Sequence, residues 1–172
     1  MIIICGLPGT GKTTLCKKIE KELNYKYVSD WYIFNQNNVK INEFQNKFEI
    51  SRNYSNILSD YIKIHKNEKL IIDLEYSLSP NDFAIYEFSK YTKIIYLGFL
   101  SVNENILFNL FKESSENKNL KESELRKKIE FYKKMSEDYF KECEKLKIDF
   151  IDINKDKNKL IEELFNKIKS SI

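Results

Sequence analysis

The chain is poor in histidine, cysteine and arginine, and each shortage narrows its chemistry. His65 is the only histidine, and Cys5, Cys16 and Cys143 form no Cys-x-x-Cys or His–Cys spacing, so a zinc site is not expected. Three cysteines without paired spacing read as reduced thiols of a cytoplasmic protein, with Cys5 in the core. No apolar run approaches the ~20 residues of a membrane span. The sequence opens on an apolar strand, so no signal peptide is expected. Arg52 and Arg126 are the only arginines. The remaining positive charge is lysine, and the abundance of Lys, Asn and Ile fits an AT-rich coding background. A net charge of +3 does not demand a dedicated nucleic-acid surface. With 172 residues, 42% hydrophobic and 32% charged, the composition is that of one globular domain, 1–172, with a substantial core.

What is present is more specific. Gly6-Leu7-Pro8-Gly9-Thr10-Gly11-Lys12-Thr13 is a complete G-x-x-x-x-G-K-[ST] loop. Its glycines let backbone N–H groups turn inward around a polyphosphate. Lys12 reaches the β- and γ-phosphates, and the Thr13 hydroxyl is placed to ligate Mg²⁺. The helix that starts here aims its positive end at the same anion. The context agrees with the motif. Met1–Cys5 is a short apolar run rich in β-branched residues, as a central parallel strand requires. Leu15, Ile19 and Leu23 then recur at helical spacing, with Lys17, Lys18, Glu20, Lys21 and Glu22 on the other face.

Further along, strands are expected at 25–29, 70–74, 93–98 and 148–153. Helices are expected over most of 40–66, from Pro80 to about Tyr91, and over 103–112, 122–146 and 157–170. Phe44, Phe48, Ile57, Leu58, Tyr61 and Ile62 are candidate core positions of the first of these helices. Residues 113–119 are polar and aperiodic and read as a mobile loop. Short buried strands alternating with helices predict a three-layer α/β fold, a parallel sheet covered on both faces. Ligands then bind at the carboxyl ends of the strands, where the loop, Asp30, Asp73 and Gly98 fall.

In the loop Gly6–Thr14 and in the order and lengths of its elements, the chain resembles the small P-loop kinases: adenylate, shikimate and adenylylsulfate kinases and related phosphotransferases. The resemblance implies a P-loop NTPase fold with five parallel strands ordered 2-3-1-4-5. It implies a lid at about residues 112–126, and cradling of ATP by Gly6, Pro8, Gly9, Thr10, Gly11, Lys12, Thr13 and Thr14. Asp30 ends the second strand, where shikimate-kinase-like enzymes place an acid that contacts Mg²⁺ or the acceptor hydroxyl. Leu70–Glu75 looks like a Walker B segment, making Asp73 a metal-side acid and Glu75 a base or acceptor ligand. Arg52 falls in a region similar to the substrate-binding helices. Arg126 sits at the base of the lid, where relatives place arginines that hold transferring phosphate. With only two arginines, and without the Asp-Arg-Tyr/Phe signature of thymidylate kinases, a nucleoside monophosphate acceptor is disfavoured, because lysine lacks the bidentate fork.

Read on chemistry alone, several of these residues carry plain alternatives. Asp30 also suits a cap. A buried unpaired Asp73 is costly unless a hydrated cation compensates it. Trp31, Tyr32 and Phe34 suit the core better than a stacking platform for an acceptor ring. Lys118 and Lys121 are weaker lid candidates, and the charges of 112–146 suit a solvated face. The reading that follows is a phosphotransferase moving the γ-phosphoryl group of Mg-ATP to a small-molecule hydroxyl, with Asp30 or Glu75 as base and Arg126 offsetting phosphoryl charge. Its rivals are a polynucleotide 5′-hydroxyl or nucleotide kinase, and a non-catalytic ATP- or GTP-binding module. Asn154-Lys155-Asp156 only superficially resembles the guanine-reading segment of GTPases, since no residue separates Lys from Asp.

Overall fold

Five short strands organise the chain in this computed structural model, which describes residues 1–36, 47–74, 78–85, 92–113, 117–154 and 156–171. They are β1 (Ile2–Gly6), β2 (Lys26–Ser29), β3 (Leu70–Leu74), β4 (Lys93–Gly98) and β5 (Asp149–Asp152). They form one sheet in the order β2-β3-β1-β4-β5, and every pairing is parallel. The α/β fold class and the strand order implied by the resemblance are thus found. β1 and β3 are buried along their whole length. That is why they read as continuous apolar runs: helices cover both faces, and no position faces water. Ile3, Ile4, Ile71 and Ile72 are fully enclosed, each contributing about 1.5–3 kcal/mol relative to exposure. The edge strands β2 and β5 are only partly buried.

The helices are α1 (Lys12–Leu23), α2 (Asp30–Gln36), α3 (Lys47–Ile64), α4 (Pro80–Ile85), α5 (Glu104–Lys112), α6 (Glu122–Leu146) and α7 (Lys157–Ser170). Two of them refine the sequence expectations. A helix not foreseen follows β2: Asp30 opens the seven-residue α2 directly, and its carboxylate accepts from the Trp31 amide at 2.6 Å. The helix expected over 40–66 runs from Lys47 to Ile64, with Leu58 and Ile62 in the core, whereas Phe44 lies outside the described residues. No described helix is long and apolar enough to cross a membrane.

The segment expected to be a mobile loop is partly anchored. Glu113 caps α5 by donating its N–H to the carbonyls of Asn109 and Phe111. Asn117 is buried, donates to the Phe111 carbonyl at 2.8 Å and accepts from Lys128 Nζ at 2.6 Å.

Candidate functional site

The phosphate loop joins β1 to α1 and takes its shape from glycine. Gly6, Gly9 and Gly11 have φ of 138°, 79° and 93°, a region that costs other residues strain. At Gly6 space is also decisive: a Cβ there would lie 2.0 Å from the Leu97 carbonyl oxygen of β4. The loop closes on itself through the Leu7 carbonyl, which accepts from Thr10 Oγ1 at 2.8 Å and from Lys12 Nζ at 3.1 Å. Lys12 is buried in this arrangement. Gly11 caps α1 without a side-chain hydrogen bond, and the first turn of α1 carries no acid. The N–H groups and positive dipole end of α1 are thus left to an anion rather than to a capping side chain.

Asp73 reaches the same place from β3. Its Oδ2 accepts from Thr13 Oγ1 at 2.5 Å and from Tyr27 Oη at 3.3 Å. The carboxylate is buried, and no cation pairs with it among the described residues. A buried anion held only by hydroxyls is costly unless a cation joins it. The donor set, one carboxylate and one hydroxyl, is the hard oxygen type that Mg²⁺ takes, with waters and phosphates completing its shell. Among the described residues no group of three or more His, Cys, Asp or Glu forms a self-contained metal cage.

Ser29 pairs in register with Asp73, so Asp30 stands one residue beyond that pair, beside the carboxyl end of β3. Its charge is felt by Tyr27 and by Tyr54 on α3. Burial, and after it the charge of Asp73, pushes the Tyr27 hydroxyl up to about 12, with Asp30 adding a lesser share. Burial, then Asp30, raises that of Tyr54. The aromatic cluster expected in the core divides. Phe34 is buried and stacks on Tyr54 with ring centroids 4.1 Å apart, whereas Trp31 is 72% exposed and Tyr32 is 46% exposed.

On the other side of the loop, an apolar cavity of about 390 Å³ is lined by Phe99, Val102, Leu110, Ile153, Asn154 and Lys157, among others. It borders the loop directly, because Leu110 and Lys157 also pack against Gly9 and Gly11. Asp152 fixes its rim by accepting from the amides of Leu100 (2.8 Å) and Ser101 (3.3 Å) and from Asn154 Nδ2 (3.1 Å). A larger cavity, about 630 Å³, runs along the charged face of α6, and its lining includes none of the side chains next to the loop glycines. The smaller, apolar cavity is the one whose lining includes side chains, Leu110 and Lys157, that lie next to Gly9 and Gly11.

The remaining expected site residues are not gathered at the loop. Arg126 donates to Glu122 Oε1 through Nη2 (2.8 Å) and to Glu104 Oε1 through Nη1 (3.4 Å), and lies over the Phe108 ring. No residue of 6–14 is among these partners. Arg52 lies on α3, and its side chain, like the whole of Glu75, falls outside the described residues. Asp156 accepts from the amides of Asn158 and Lys159 as the cap of α7, which engages it as a helix terminus rather than as a reader of guanine. Sequence reasoning missed Tyr27, Tyr54 and the apolar cavity. The alternation of β2 carried part of the signal, since it sets Tyr27 on the same face as Ser29.

Comparison with known proteins places this geometry. A family model described as an AAA domain matches residues 2–127. An S-adenosylmethionine-dependent nucleotide dehydratase of Lacinutrix mariniflava is 29% identical over 82 residues, which is 45% of this chain and 17% of that protein. The chain thus spans less than a fifth of the length of that curated relative. Among solved structures, shikimate kinase from Bacteroides thetaiotaomicron superposes with a TM-score of 0.63 at 16% identity, covering 98% of this chain and 96% of that one. Deoxyadenosine kinase from M. mycoides superposes with a TM-score of 0.56 at 21% identity, covering 99% and 100%.

Proposed function

The chain belongs to the AAA domain family and carries the fold of the small P-loop kinases, and from that premise we propose that it is an ATP-dependent phosphotransferase acting on the hydroxyl of a small molecule. The observation that carries the reading is the meeting of Thr13 and Asp73 at the mouth of the loop. It brings a buried carboxylate, paired with no cation among the described residues, to the one hydroxyl that the motif reserves for a nucleotide-bound cation. In this reading Gly6, Pro8, Gly9, Thr10, Gly11 and Thr14 shape the cradle. Lys12 exchanges the Leu7 carbonyl for the β- and γ-phosphates. Thr13 and Asp73 hold Mg²⁺, which when bound draws charge from the phosphate oxygens. The cavity beside Gly9 and Gly11 takes the base of the nucleotide, its apolar walls suiting a planar ring.

The acceptor enters from the opposite side, past Asp30 and the exposed Trp31. Asp30 or Glu75 orients its hydroxyl and receives the proton. Arg52 contributes from α3. Arg126 serves the transferring group only by exchanging Glu104 and Glu122 for phosphate, a movement of the 112–126 segment acting as a lid. The kinase neighbours support the class of reaction, and the shortage of arginine favours an acceptor without a phosphate of its own.

The test is a transfer screen with labelled ATP and Mg²⁺ against sugars, hydroxy acids, nucleosides, nucleotides and 5′-hydroxyl oligonucleotides. Lys12→Ala is expected to keep the fold and to lower product formation by on the order of 10²-fold or more. A folded Lys12→Ala protein with an unchanged rate overturns the reading. Transfer confined to oligonucleotides and falling steeply with salt would replace it with a polynucleotide kinase.

A further inference from the structure

Tyr27 lies outside the loop motif, yet its hydroxyl meets the metal-side carboxylate. β2 and β3 run in parallel register, Tyr27 opposite Ile71 and Ser29 opposite Asp73. The tyrosine ring therefore has to climb one pleat to bring Oη within 3.3 Å of Asp73 Oδ2. Thr13 donates to the same oxygen at 2.5 Å from α1. One carboxylate oxygen thus takes two hydroxyl donors, from elements on either side of it.

We infer that Tyr27 is a positioning residue for the metal site: it fixes the plane of the Asp73 carboxylate so that Thr13 and Asp73 present a preformed pair of oxygen ligands to the nucleotide-bound cation. This rests on the kinase reading above. The physical reason is the torsion that Tyr27 restrains. The χ2 of aspartate is broad and roughly two-fold, so the carboxylate plane is not set by its own rotamer. A single donor, Thr13, leaves that plane free to turn about the hydrogen bond. A second donor on the same oxygen, arriving from β2, stops the rotation. The ring is half-buried, and its phenol O–H donates to the carboxylate oxygen that also accepts from Thr13. The groups that orient ligands in other metal sites act in this way, and their loss weakens metal binding by 10- to 100-fold.

The test compares wild type with Tyr27→Phe, which keeps the ring and removes only the hydroxyl. Binding of a fluorescent ATP analogue is measured in EDTA and across a Mg²⁺ titration, and melting temperature is followed in parallel. The expected result is a Mg²⁺ midpoint raised about 10-fold, with metal-free affinity unchanged and the melting temperature lower by no more than a few °C. In an Asp73→Asn background, Tyr27→Phe should add nothing further, since the two act as one unit. An unchanged midpoint overturns the inference. So does an equal loss of affinity with and without Mg²⁺, which would mark a structural role. If wild type binds no nucleotide, or binds it indifferently to Mg²⁺, the kinase reading itself falls.

Discussion

Thr13 Oγ1 donates to Asp73 Oδ2 at 2.5 Å across sixty residues of sequence, joining the start of α1 to β3. The bond crosses from one face-covering helix to a central strand. It exists because β1, which leads into Thr13, lies directly beside β3, with Ile4 opposite Asp73. Two residues with unremarkable local surroundings thereby become one chemical unit at the carboxyl edge of the sheet.

That unit sets activity against stability. Asp73 is buried with hydroxyl partners alone among the described residues. Asp73→Asn removes a desolvated charge while keeping its shape. Without nucleotide, the variant should melt a few °C above wild type, as about 1 kcal/mol would give in a chain of this size. Its nucleotide binding should lose its response to Mg²⁺. Calorimetric melting and a Mg²⁺ titration read the two effects separately, and a lower melting temperature would contradict the argument.

Gly6 and Gly9 should respond unequally to alanine. Both have positive φ, but a Cβ at Gly6 meets the Leu97 carbonyl at 2.0 Å, whereas at Gly9 it meets only the Leu110 side chain at 3.4 Å. Gly6→Ala combines backbone strain with a clash against a central strand and should cost about 3 kcal/mol. Gly9→Ala should cost about 1 kcal/mol. Urea unfolding of the two variants checks the order, and equal losses would refute it.

Arg126 gives a cleaner separation of roles. Its partners Glu104 and Glu122 are exposed with it, so solvent screens the cluster. Arg126→Ala should leave the melting temperature unchanged. If the guanidinium exchanges those partners for phosphate during transfer, kcat falls while nucleotide affinity in the resting state does not. Steady-state kinetics beside equilibrium binding shows which holds, and an unaltered kcat would confine Arg126 to the surface network.

Alkaline pH should destabilise the chain early. Burial raises the Cys5 and Cys16 thiols well above their ordinary value of 9.0, and raises that of Cys143 to about 12. Tyr27 is also held at about 12. Above pH 9 the unfolded chain sheds these protons first while the folded chain retains them, so the stability present below pH 9 is lost as pH rises toward 12. Urea midpoints at pH 8.0 and 10.5 test this, the second expected to be lower. A midpoint that does not fall would show that the thiols ionise as readily in the folded chain.

Local chemistry was enough for one half of the site. The apolar run of β1, the glycine spacing and the helical repeat of α1 lie in a single stretch of about two dozen residues. Each follows from backbone sterics and periodicity, so the loop and its neighbours could be read directly. The buried strands β3 and β4 were equally plain, because a strand covered on both faces has no polar position to obscure it. The sequence by itself thus determined the phosphate-binding half and the parallel sheet. Tertiary structure alone decided the remainder. The convergence of Thr13, Asp73 and Tyr27 depends on strand order and register. The capture of Arg126 by Glu104 depends on how α5 packs against α6. The apolar cavity is assembled from the ends of β4 and β5 with α5 and α7. None of these pairings leaves a local pattern, because side chains brought together across a sheet owe their proximity to hydrogen-bonded register rather than to their spacing along the chain.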